Sequence, residues 1–190
     1  MRRLLWLGTT LLLLVAGCAP AGQDHLAAVP SATLPAGPGE PALIYTAVLR
    51  RYLTSPQDNS NLDFATVFVL DHTDGGAADP MRATAATAGP ASAPIAAADQ
   101  REIAAALADI APVRFVGSRD QVIVSADGCD VVRDHGVLLL LGPPMANEGS
   151  VRVGINGYVA CLGATWLTYV VTHQPDGWQV TGTTGDFAVA

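Results

Sequence analysis

Apolar and polar positions divide the chain into a patterned region beginning near residue 40 and two stretches without period. After Glu40-Pro41, where proline suits a first helical turn, Leu43, Ile44, Ala47, Val48 and Tyr52 fall on one helix face, and the spacing predicts a helix ending near Leu53. Ser55-Pro56-Gln57-Asp58-Asn59 carries loop chemistry. Thr66-Val67-Phe68-Val69-Leu70 is a continuous β-branched and aromatic run, which predicts a buried strand. Asp99 and Glu102 have capping-box spacing, Ile103, Leu107 and Ile110 follow at helical intervals, and Pro112 supplies a stop.

From Val113 onward the pattern is that of strands. Val113–Val116 and Val122–Val124 read as short strands around Gly117-Ser118-Arg119-Asp120, and Val137–Leu141 as a fully apolar strand ended by Gly142-Pro143-Pro144. Val151, Val153, Ile155, Val159 and Cys161 alternate with Arg152, Gly154 and Asn156, the signature of a half-buried strand. Trp166–His173 and Trp178–Thr183 complete a three-stranded meander across the turn Gln174-Pro175-Asp176-Gly177. The expected fold is α+β: two helices from the N-terminal half packed on a curved antiparallel sheet that ends in the meander.

The unpatterned stretches are residues 19–39, with four prolines and three glycines, and residues 75–98, with eleven alanines among 24 residues. The first reads as a flexible tether and the second as a mobile insertion within a single domain spanning residues 40–190.

Ahead of the tether, Arg2-Arg3 precede an apolar core from Leu4 to Ala16, too short to span a bilayer comfortably. Val15-Ala16-Gly17-Cys18 resembles the bacterial lipobox. That resemblance implies a signal peptide of residues 1–17, cleavage before Cys18, a diacylglycerol thioether on its thiol, and acylation, such as palmitate, of the new amine. It also implies an extracytoplasmic protein lipid-anchored to the cell membrane, or to the outer membrane where the organism has one.

Composition narrows the partners. The net charge is −7, all ten basic residues are Arg, and processing would remove two of them and no acid. No basic patch suits nucleic acid, and an acidic surface adds nothing to membrane attachment. The expected partners are the membrane, through the anchor, and an envelope protein or small-molecule ligand. With Cys18 assigned to lipid, Cys129 and Cys161 remain as an even pair in an oxidising compartment. They are expected to form a disulfide contributing ~3–4 kcal/mol.

Asp71-His72-Thr73, Ser118-Arg119-Asp120-Gln121-Val122 and Trp178-Gln179-Val180-Thr181-Gly182 resemble segments of uncharacterised bacterial exported proteins. The order of elements over residues 40–190 resembles cone-shaped domains of nuclear-transport-factor-2-like or cystatin-like type. Such a resemblance implies a fold and not an activity.

The sequence holds no GxSxG, P-loop, GxGxxG, HExxH or CxxC motif, and neither a cofactor nor a metal is expected. The candidate catalytic residues are Asp71, His72 and Asp120, as acid–base groups near strand ends. Against them, neighbours on an extended chain point to opposite sides, so Asp71 and His72 do not easily share a ligand. Asp127, Asp130, Asp134 and His135 flank Cys129 without the EF-hand pattern and read as an exposed acidic loop. Arg119 is a candidate anion clamp or a local ion-pair partner of Asp120. Trp166, Tyr169 and Trp178 are candidate binding residues as a pocket wall, with core packing as the default. The leading expectation is a non-catalytic binding or accessory domain. The alternatives are a cone-fold enzyme using acid–base chemistry on a small molecule, and a structural envelope protein acting through surface contacts.

Overall fold

The computed structural model describes residues 39–81 and 92–190. Cys18, the signal peptide, the tether up to residue 38 and the middle of the 75–98 insertion lie outside the described residues. In chain order the elements are α1 (Glu40–Thr54), β1 (Thr66–Thr73), α2 (Ala97–Ala106), β2 (Val113–Val116), a 3-10 turn at Arg119–Gln121, β3 (Ile123–Ala126), β4 (Cys129–Val132), β5 (Gly136–Leu141), β6 (Met145–Asn147), β7 (Ser150–Ala160), β8 (Gly163–Gln174) and β9 (Gly177–Val189). The domain is α+β, with both helices in its N-terminal half and a β7-β8-β9 meander at its end.

The principal sheet has the order β2-β1-β5-β7-β8-β9, with β6 paired to β7. It is mixed: β1 runs parallel to both β2 and β5, and the pairs from β5 to β9 are antiparallel. A helical crossover through α2 joins β1 to β2, which is how parallel neighbours are connected. The sheet is covered on two sides, and side-chain alternation assigns residues to each. Val67 and Val69 of β1, and Val137 and Leu139 of β5, join the core shared with α1 and α2. Phe68 and Leu138 face the other way, into a second cluster with Val122 and Val132 beneath the β3–β4 hairpin. Burial on both faces is why β1 and β5 read as unbroken apolar runs. On β7 the odd positions Val151, Val153 and Ile155 belong to the helix-side core, as the alternation predicts.

Several boundaries differ from the sequence reading. Helix α2 starts at Ala97 with Ala96 at its N-cap and no side-chain cap, so Asp99 sits in the first turn and the capping-box reading is corrected. Ala97 and Ala98 have high intrinsic helix propensity, and the N-cap falls three residues earlier than the capping box predicts. At its other end the helix closes at Ala106 and passes through turns to Ala111, ahead of Pro112. Val113–Val116 and Ile123–Ala126 belong to different sheets and are not a pair. The β3–β4 and β6–β7 pairs are two-residue hairpins. Asp127-Gly128 and Glu148-Gly149 all take positive φ, the conformation that a type I′ turn demands.

The ends of the 75–98 insertion are packed structure. Ala77 and Ile95 are each 5% exposed. A Cβ at Gly154 would meet Ala78 at 3.0 Å, so glycine on β7 is what lets this segment lie against the sheet.

Candidate functional site

The strap that precedes α2 binds to the end of β1. Thr73 N donates to Ala93 O at 2.8 Å and Ile95 N donates to Asp71 O at 2.7 Å. The Thr73 hydroxyl accepts from Ala93 N at 3.1 Å. The strap thereby pairs with β1 where β2 has ended, and an isolated antiparallel bridge joins His72 to Pro94. Its lower side chain, Ile95, enters the core beside Ile44 and Val151.

Between this strap, the first turn of α1 and the loop after β5 lies an apolar cleft of about 240 Å³. Ile44, Ile95 and Val151 form its floor, and Pro41, Pro94, Pro143 and Pro144 contribute to its walls. Glu40 and Asp99, first-turn acids of α1 and α2, also line it. Their position is favourable, because helix N-termini stabilise negative charge. Tyr45 closes one wall and donates its hydroxyl to Gly142 O at 3.3 Å. Burial, with the Asp99 carboxylate nearby, pushes the Tyr45 phenol well above the usual tyrosine range. The volume is just under the ~300–1,000 Å³ of drug-sized ligand sites, so the cleft suits a small organic molecule or one side chain.

The candidate catalytic residues lie elsewhere. Asp71 Oδ1 and His72 Nδ1 are hydrogen-bonded at 2.8 Å, contrary to the expectation that adjacent strand residues diverge. The reason is a bulge: between Val69 and Thr73, β1 advances four residues while β5 advances only from Leu139 to Leu141. The extra residues break the two-residue alternation, which allows the two side chains to meet. Neither they nor Asp120 line the cleft.

Arg119 packs its guanidinium 4.8 Å from the centroid of the Tyr158 ring. Tyr158 in turn donates to Asp130 O at 2.7 Å. Arg119 makes no ion pair with Asp120 among the described residues. Trp166 is 8% exposed. Trp178 meets His173 edge-on, with ring centroids 5.3 Å apart. Tyr169 is buried and donates to Asp58 Oδ2 at 2.9 Å, and the same oxygen accepts from Arg51 Nε at 2.9 Å. None of these three aromatic residues lines the cleft. Cys129 and Cys161 are joined, with Cα atoms 5.6 Å apart, and so tie the β3–β4 hairpin to the β7–β8 turn. Asp134 and His135 form a left-handed turn between β4 and β5. No group of three His, Cys, Asp or Glu among the described residues is placed to hold a metal.

The lining residues Glu40, Tyr45 and Asp99 carried no signal of their own in the sequence. Glu40 and Asp99 read as helix-start residues, and Tyr45 stands next to Ile44 but outside the predicted apolar face. The Pro143-Pro144 pair and the strap's Pro94 were the visible hints, since consecutive stiff residues outside an element make an exposed apolar wall. No family model, no curated protein and no solved structure matches the chain. Among the described residues no helix is long and apolar enough to cross a membrane.

Proposed function

We propose that the protein is a lipid-anchored, extracytoplasmic binding protein whose ligand enters the cleft between α1 and the strap before α2. The observation that carries the binding reading is the cleft itself, apolar on its floor and lined by two carboxylates. The lipobox at Val15–Cys18 supports the anchor, and the Cys129–Cys161 bridge suits an oxidising compartment. Helix α1 begins directly after residues 19–39, so the cleft lies at the root of the tether. The Asp71–His72 pair lies at the same end of β1, beside the strap, but does not line the cleft, and the binding reading does not use it.

Cyclohexanemethanol, a neutral apolar probe, tests the reading by methyl NMR on the full chain. Saturable shifts of the Ile44, Ile95 and Val151 methyls are expected. Ala96→Phe, at an exposed lining position, is expected to abolish them by filling the cleft while the remaining spectrum stays native. Wild-type methyls that do not respond would remove the cleft as the binding site.

A further inference from the structure

The cleft is unequal in what it offers a ligand. Its carboxylates, Glu40 and Asp99, accept hydrogen bonds and do not donate when ionised. Four of its lining residues are prolines, which have no backbone N–H. Two backbone donors of the strap and two hydroxyls at the cleft are already engaged. Ala93 N serves Thr73 Oγ1 and Ile95 N serves Asp71 O. The Thr73 hydroxyl donates to Ala93 O at 3.3 Å and the Tyr45 hydroxyl donates to Gly142 O. Among the described residues no Arg lines the cleft and no ion pair joins Asp99 to an Arg. An anion could reach the first-turn N–H groups of α2, which has no side-chain cap, only beside the Asp99 carboxylate, whereas a donor carrying positive charge would meet that carboxylate directly.

We propose that the cleft selects apolar organic cations, an ammonium or guanidinium on a compact hydrophobic body, with Asp99 as the charge-recognising residue and Ile44, Ile95 and Val151 as the apolar floor. This rests on the cleft being the binding site and adds the ligand's class. The protein's own tether is a poorer occupant. Residues 19–38 are rich in Ala and Pro but carry no Arg, and their one acid, Asp24, would oppose Glu40 and Asp99. Charge-assisted hydrogen bonds to a carboxylate are stronger than neutral ones, so the cation is expected to bind roughly tenfold or more tightly than a neutral isostere.

The test compares three isosteres at one ionic strength on the full chain, reading the same methyls: cyclohexylmethylammonium, cyclohexanemethanol and cyclohexanecarboxylate. The expected order is cation first, neutral probe roughly tenfold weaker, and carboxylate weakest. Asp99→Asn is expected to bring the cation and the neutral probe to similar affinity while the neutral probe's own affinity holds. Equal binding of cation and alcohol to the wild type overturns cation selectivity but leaves the cleft as the site. Tightest binding by the carboxylate, or an Asp99→Asn protein that still prefers the cation tenfold, also overturns it. If no probe moves the cleft methyls, the binding site itself is wrong, and the selectivity falls with it.

Discussion

The phenol of Tyr52 crosses the core from α1 and ends against Gly157 on β7, where a Cβ would overlap the phenolic oxygen. Its hydroxyl shares a hydrogen bond of 2.8 Å with Thr165 Oγ1 on β8, and Gly157 and Thr165 are register partners. Glycine at 157 is therefore the socket that lets a buried tyrosine pin the helix to the sheet.

Gly157→Ala is expected to destabilise the domain by ~1–3 kcal/mol, the usual cost of overpacking a dense core. In a Tyr52→Ala background the same substitution is expected to cost far less, because the clashing ring is gone. Urea unfolding of the four proteins of this cycle decides. An equal cost of Gly157→Ala in both backgrounds would show that the socket is not what constrains residue 157.

Stability is expected to fall as the solution becomes alkaline. Burial pushes the Tyr52 phenol up to about 12, although its hydrogen bond to Thr165 works the other way. Burial also raises Tyr45 and Tyr169, each with a neighbouring carboxylate adding to the effect. For such groups the unfolded chain loses its proton first, at about 10. The stabilisation is complete below pH 10 and is lost as pH rises from there through 12. For Tyr52 alone two pKa steps correspond to roughly 3 kcal/mol. Melting temperatures measured between pH 8 and 12 should therefore be flat and then drop, and Tyr52→Phe should soften the drop. A flat profile up to pH 12 would contradict the burial of these phenols.

Burial was legible in the sequence more fully than direction was. Val151, Val153 and Ile155 announced a one-sided strand, and the antiparallel meander follows from short turns between long strands. Val67–Leu70 and Val137–Leu141 announced strands covered twice, but an apolar run is the same for either direction, so the parallel pairing of β1 with β5 could not be read from it. Asp127-Gly128 was readable as a hairpin turn and was obscured by the acidic residues around it. The Asp71–His72 contact was unreadable, because a bulge depends on what pairs with β1 from both sides. The cleft was unreadable for a similar reason: its walls come from segments over a hundred residues apart, from Glu40 to Val151.

Ile95 marks where the low-complexity insertion ends and the domain resumes. It is 5% exposed within the main core, although it lies among Ala and Pro residues. Ile95→Ala is expected to cost ~2–5 kcal/mol, as for other buried isoleucines. Because the strap holds Thr73 and Asp71 by backbone hydrogen bonds, the loss should also raise amide exchange at Thr73. A change under ~0.5 kcal/mol, the size expected at a surface position, would mean that the strap is not part of the folded core.

Reducing the Cys129–Cys161 bridge should loosen the β3–β4 hairpin before it affects the helix-side core. The bridge closes a separation of 32 residues, for which chain entropy gives ~3–4 kcal/mol. Intact mass with alkylation should reveal the pair of thiols only after reductant, and the melting temperature should fall with them. Phe68, beneath Val122 and Val132, is the local reporter, since its cluster depends on the hairpin. Alkylation of both thiols in native, unreduced protein would refute the bridge.

The anchor is tested at Cys18, where only a thiol can form the thioether that lipidation requires. Under the proposed anchor, the apolar core from Leu4 to Ala16 would serve export, and the small residues Ala16 and Gly17 would let a peptidase seat the chain there. Each buried CH₂ of an acyl chain contributes ~0.8 kcal/mol, so two or three chains on Cys18 would hold the protein on the membrane without help from its acidic surface. Cys18→Ser is expected to remove acyl labelling entirely and leave the precursor uncleaved. Mass spectrometry of the wild type should show an N-terminus at Cys18 carrying the added lipid. A Cys18→Ser protein still cleaved after Gly17 would mean that the chain is released as an ordinary secreted domain, and one still labelled with fatty acid would place the lipid on another residue; either outcome makes Cys18 incidental.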